Sequence, residues 1–162
     1  MSVAEWMRAN LTTQGYSLTD VERRRLGVAL RFSTGTCLGL VVVALALASA
    51  PMVFGLAAIG LIAGFAPRHP FDYVWNHVLR HVTGGPPLPP NPTRRRHSFK
   101  VATVWLAVVG ALLTAGATTV ALPLGGMLVA ACATVTAANL CLPSETFAWL
   151  ERRRTPNHPI TT

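Results

Sequence analysis

Two stretches of this chain, Phe32 to Pro67 and Val101 to Ser144, contain no Asp, Glu, Lys or Arg. Neither is easily read as one buried helix of a soluble protein. A membrane span needs roughly 20 apolar residues, so each stretch fits two spans joined by a turn. Composition agrees, with 51% hydrophobic residues and 12% charged, about half the charged share of soluble domains. The length of 162 residues suits one domain.

The charges that remain lie in three blocks. Arg23, Arg24 and Arg25, then Arg94, Arg95 and Arg96, then Arg152, Arg153 and Arg154 each adjoin a charge-free stretch. A net charge of +8 could suggest nucleic acid, but no nucleic-acid motif accompanies it, and basic residues beside spans are what membrane insertion requires. The triplets are therefore expected at the membrane surface, near anionic lipid. All Lys and Arg fall outside both hairpin turns, which places the N-terminus, middle loop and C-terminus in the cytoplasm of a bacterial inner membrane. Ala48-Ser49-Ala50 imitates a signal-peptide cleavage site. The charged lead-in before it is too long for a signal peptide, and no cleavage is expected.

Capping-box spacings at Ser2/Glu5 and Thr19/Glu22 predict a short surface helix and then a second helix starting near Asp20. The first span should run from Phe32 to Leu47, and the second from Pro51 to about Ala66. Phe71 to Val82 is amphipathic. Phe71, Val74, Trp75, Val78, Leu79 and Val82 share one arc, while Asp72, Tyr73, Asn76, His77, Arg80 and His81 share the other. This pattern predicts an interfacial helix. Pro86 to Pro92 then read as a stiff connector. The third span follows Lys100 to about Ala117, a turn is expected at Thr118, Thr119 and Pro123, and the fourth span reaches Leu142.

Each half reads as an arginine triplet, a span, a turn, a second span, and then proline followed four residues on by phenylalanine, Pro67 with Phe71 and Pro143 with Phe147. The expected fold is an all-α membrane protein, with four transmembrane helices as two hairpins in a parallel pseudo-repeat, plus short interfacial helices. Its segments are 1–25 (cytoplasmic, with an interfacial helix), 26–67 (first hairpin), 68–99 (amphipathic helix and basic proline-rich loop), 100–143 (second hairpin) and 144–162 (C-terminal helix and tail).

Candidate chemistry is sparse. No Asp, Glu, Lys, Arg or His lies within a span core, which speaks against a proton pump and against histidine-ligated haem or chlorophyll at mid-membrane. No cofactor is expected. His77 and His81 are four apart on one helix, a possible metal pair to which His69 and Asp72 could add; the alternative is an ordinary polar face, and Arg80 beside them opposes a cation. Cys37 and Cys141 both lie toward the cytoplasmic ends of spans and could approach one another, while Cys132 is deeper; buried cysteine is ordinarily a small apolar residue. Small residues suit close helix packing: Gly35 with Gly39, Gly60 with Gly64, and Gly126 with Ala130. Their partners could be helices of this bundle or other membrane subunits. The connector and the tail Thr155 to Thr162 offer nothing to bury and are expected to need a partner to hold them.

Two hairpins, a Pro-Phe-Asp stretch at residues 70–72, a proline-rich loop and a cysteine ending the fourth span resemble a bacterial membrane family catalogued as domain of unknown function 4395. The resemblance covers Leu26 to Leu150 and implies a fold without an activity. In that pattern a Cys-x-x-Cys often closes the fourth span. Here the stretch reads Cys141-Leu142-Pro143-Ser144, so the second cysteine is missing. The expected function is a non-catalytic accessory or scaffold subunit of a larger membrane complex, such as a respiratory or photosynthetic assembly, with lipids and other membrane subunits as partners and no nucleic acid. The alternative is a small membrane enzyme or thiol/sulfur transport component using Cys37 and Cys141.

Overall fold

A computed structural model describes residues 2–27 and 29–154, apart from the side chains of Val3, Ala4, Arg8, Arg152 and Arg154. The tail expected to need a partner lies outside the described residues. Among those residues the secondary structure is helical throughout, without a strand. Both capping boxes form. Helix α1 (Val3–Thr13) starts at Ser2 and α2 (Asp20–Leu26) at Thr19, each cap side chain meeting the backbone three residues on while the glutamate there reaches back.

Three stretches are long and apolar enough to cross a membrane: Asp20–Ala46, which joins α2 to α3 (Ala29–Ala46), then Thr93–Thr114 and Thr118–Ala138. Helix α4 (Ala50–Phe65) has 16 residues, about 24 Å at 1.5 Å each. Together with the segment after it, α4 would make a fourth span, but the pair is bent by 79°. The chain is thus a membrane protein by the length and apolarity of its helices.

That bent segment is α5 (Pro70–Val74), a π-helical turn (Trp75–Leu79) and α6 (Arg80–Thr83), where one regular helix was expected. Asp72, Trp75 and Asn76 are buried, while Val74, Val78 and Val82 are exposed. Two residues of the polar arc, Asp72 and Asn76, are thus buried beside Trp75, while three valines of the apolar arc lie on the outside of the bundle. The connector is not left loose, because this chain holds it. Trp75 Nε1 donates to Pro86 O (3.1 Å), Leu88 N to Asn76 Oδ1 (2.7 Å) and Asn91 N to Pro67 O (2.7 Å).

Helices α7 (Thr93–Thr114) and α8 (Thr118–Ala138) form the second hairpin, and α9 (Leu142–Arg154) closes the described chain. The turn comes earlier than expected, at Ala115–Ala117, and Pro123 sits inside α8. A proline near a helix start costs only one backbone bond there, so it does not mark the turn. Gly116, with φ of 74°, does.

The bundle is a ring in which α3 touches α4 and α8, and α7 touches α4 and α8. The closest pair is α4 with α7, for a reason visible at two glycines. A Cβ on Gly60 would stand 2.7 Å from Thr103 Oγ1, and one on Gly64 2.7 Å from Lys100 Cγ. Gly35 meets Thr136 of α8 at ordinary contact distance, 3.6 Å from its would-be Cβ. Gly39 and Gly126 have open space beside them, and Ala130 is exposed. The tightly packed glycine of α8 is Gly125, against Leu45. Val41, Ala44, Val53, Leu56, Leu106, Val109, Ala121 and Leu128 fill the core between the four helices.

Candidate functional site: a chamber with three thiols

A chamber of about 330 Å³ lies among these helices, lined by Cys37 of α3, Cys132 of α8 and Cys141 just before α9. Sequence reading paired Cys37 with Cys141 and set Cys132 apart; the structure brings all three to one space. All three are free thiols. Most of the remaining lining is apolar, including Val41, Leu56, Leu106 and Leu128, with Gln14, Thr34, His69, Arg95 and Ser98 as polar exceptions.

His69 is placed by the turn after α4. It is the N-cap of α5: its ring Nδ1 accepts from Phe71 N (3.2 Å), and its own N–H donates to Asp72 Oδ2 (2.8 Å). Because Nδ1 is the acceptor, the neutral ring carries its hydrogen on Nε2. That atom lies 3.6 Å from Cys37 Sγ. The ring is thus built to donate toward Cys37, not to take its proton. Burial, foremost, lowers the His69 pKa from 6.5 to about 4; Asp72 opposes this and Arg95 adds to it.

Cys141 Sγ donates to Ser98 Oγ (3.1 Å), and Ser98 Oγ lies 2.9 Å from Ser144 Oγ. Ser144 is fully buried. It occupies the position where the family pattern leads one to expect a second cysteine, and here that position holds a hydroxyl network.

Behind the chamber runs a buried polar chain that sequence reading missed. Arg95 NH1 donates to Tyr16 OH (3.0 Å), Tyr16 OH to Asn91 Oδ1 (2.9 Å), and Asn91 Nδ2 to Asp72 Oδ2 (2.8 Å). Ser33 donates to the other Asp72 oxygen. Two opposite charges are thus joined through neutral groups, each satisfied. Tyr16 is raised above its usual pKa of 10, chiefly by burial. Arg95, read as a lipid-facing member of its triplet, is in fact buried, with NH2 donating to Leu30 O (3.2 Å). A run of three arginines carries no sign of which one points inward. Its neighbours stay nearer the surface: Arg94 pairs with Glu151 (2.6 Å), and Arg96 donates to Phe65 O. Arg23 bonds Leu18 O, Arg24 and Arg25 are exposed, and Arg153 lies over the Trp149 ring at 3.7 Å.

The N-terminal helix closes this end. Asn10 Nδ2 donates to Ala138 O (3.0 Å) and Gln14 Nε2 to Asn139 O (2.6 Å), so α1 caps carbonyls at the end of α8. Gln14 also lines the chamber.

His77 and His81 are not brought together with His69 and Asp72. His77 Nδ1 lies 2.9 Å from Tyr73 O, and His81 Nε2 accepts from Arg80. No group of three or more metal-ligating side chains occurs among the described residues.

No curated protein matches this chain, and no solved structure does. Residues 27–152 match the family described as Domain of unknown function (DUF4395). That span takes in the four bundle helices and all three chamber cysteines but leaves out α1 and Tyr16. With most of its length covered, the chain belongs to the DUF4395 family.

Proposed function

We propose that this protein is a multi-pass component of the bacterial cytoplasmic membrane that holds a small, thiol-reactive or sulfur-bearing molecule in its chamber, where Cys37 and Cys141 meet it. The observation that carries this reading is the convergence of three cysteines, from positions far apart in the chain, on one cavity. Close to Cys37, the Nε2 hydrogen of His69 would favour a charged sulfur by donating to it. The four-span arrangement belongs to the proposal. Two identical turns favour a parallel repeat: N–H to C=O bonds 47→43, 48→45 and 49→44 recur as 115→111, 116→113 and 117→112. Helix α8 is five residues longer than α4 (21 against 16), so Pro70 at the start of α5, not Pro67, holds the place of Pro143. With every Lys and Arg outside these turns, the termini and the chamber's polar end are assigned to the cytoplasm.

Alkylation tests this. In membrane vesicles the folded protein should react at Cys37 or Cys141 with a small uncharged maleimide, and much less with a bulky charged one. Protection of all three thiols until the protein is denatured would end the reading.

A second reading, an accessory subunit of a larger membrane complex, is favoured by the outward Gly39, Gly126 and Ala130. Such small residues let another helix approach. Purification in mild detergent should then yield a partner in fixed proportion, and Gly126→Ile should lose it. A lone protein in both preparations would count against this.

A further inference from the structure

The chamber has a mouth as well as a polar end. Val101, Met127 and Leu142 line it and are also exposed, at 47%, 61% and 56%. They belong to α7, α8 and the start of α9, so the opening lies on the apolar outside of the second hairpin. Val101 and Trp105 also wall a groove on that outside, with Val104, Val108 and Lys100. A molecule reaching the chamber by this route comes from among lipid chains. At about 330 Å³, near the lower end of ordinary ligand pockets, the space excludes a whole phospholipid.

The polar end shows what the head of such a molecule would be. A guanidinium carries five N–H donors. The structure gives Arg95 two acceptors, Tyr16 OH and Leu30 O, and both are neutral. No carboxylate lies within ion-pair distance of Arg95 among the described residues. Asp72 is reached only through Tyr16 and Asn91, and its own oxygens are taken by Ser33, Asn91 and the His69 N–H. Arg95 is therefore a buried cation with donors to spare at the wall of an apolar cavity that His69 also lines. Planar carboxylates are what a guanidinium fork binds best.

The geometry points to a binding site for a small amphiphilic carboxylate, a short fatty-acid-like molecule that enters from the bilayer between α7 and α8 and sets its carboxylate against Arg95. The site shares the chamber with the thiol reading but uses none of the thiols.

Octanoate, octanol and octyltrimethylammonium, titrated calorimetrically into the protein in lipid nanodiscs with empty discs subtracted, make the test. Octanoate should bind at least tenfold more tightly than octanol, and the cation least. Arg95→Gln should erase the preference of octanoate over octanol. Ala102→Phe, which fills the chamber without touching the polar chain, should abolish both, so the outcome does not hang on whether the Arg95 variant folds. Equal binding of octanoate and octanol, tightest binding of the cation, or unchanged octanoate binding in Ala102→Phe would each overturn the site. The two readings fail separately: unreactive thiols with octanoate still preferred over octanol would remove the thiol reading alone, whereas reactive thiols with equal binding of octanoate and octanol would remove the carboxylate site alone.

Discussion

The hydroxyl of Tyr16 accepts from Arg95 (3.0 Å) and donates to Asn91 (2.9 Å), so one side chain from outside the family-matched segment completes the polar chain behind the chamber. Tyr16→Phe would keep the packing and strip one bond from each neighbour. Both neighbours are buried, and a buried polar group left unpaired costs about 1–3 kcal/mol. Chemical unfolding in detergent should show a loss of that size. A midpoint equal to the parent's would mean that Arg95 and Asn91 are satisfied without Tyr16.

His69 makes stability depend on pH in a calculable direction. Its folded pKa is lowered from 6.5 to about 4, mainly by burial, so between those values the unfolded chain binds a proton that the folded chain does not. Its contribution is complete above 6.5 and shrinks as pH falls toward about 4, by about 3 kcal/mol at most. Carboxylates titrate near the acid end of this window, so the comparison should be made with His69→Asn, whose side-chain oxygen can still cap α5. Melting temperatures of the two proteins should converge as pH falls from 6.5. Parallel curves would mean that His69 takes up its proton without cost.

The two GxxxG pairs are not equivalent. Gly60→Ile would drive a branched side chain into Thr103, whose hydroxyl already donates to Phe99 O (2.8 Å). Overpacking of this kind costs about 1–3 kcal/mol. Gly39→Ile meets open space and should leave detergent melting unchanged within error. Similar melting of both variants would contradict the close approach of α4 to α7.

The twin turns place different residues at their left-handed position. Ala48 holds φ of 45°, while Gly116, in the same hydrogen-bonding position, holds 74°. The left-handed conformation costs a residue with a Cβ about 1 kcal/mol or more. Ala48→Gly should therefore raise stability by roughly that amount, and Gly116→Ala should lower it by a similar one. Opposite signs in the unfolding midpoints are the expected outcome, and equal signs would refute the shared turn.

Charge-free stretches and capping boxes announced the helices because both are local signals. Membrane length and the Ser2 and Thr19 caps need nothing from the rest of the fold. The polar site was hidden for the converse reason. Tyr16, Asn91, Ser98 and Ser144 are common surface types in unremarkable stretches, and their burial depends on helices far away in sequence. Asp72 and Asn76 sat on the polar arc, and their burial depends on partners outside that helix, Ser33 and Leu88, which a helical wheel does not contain. Cys37, Cys132 and Cys141 were visible as residues. Their convergence required knowing that α3 borders α8.

The contacts of Asn10 with Ala138 and of Gln14 with Asn139 join residues 128 and 125 positions apart. Helix α1 and the residue after it are thus tied to carbonyls at the end of the last bundle helix to be made. During synthesis α1 must wait, unpaired at this face, until α8 has been delivered, and long-range closures of this kind come late and slowly. A chain interrupted before Asn139 would leave the chamber's three-thiol wall incomplete and its N-terminal cover undocked. The two amide side chains of Asn10 and Gln14 thus close the bundle only once α8 is in place.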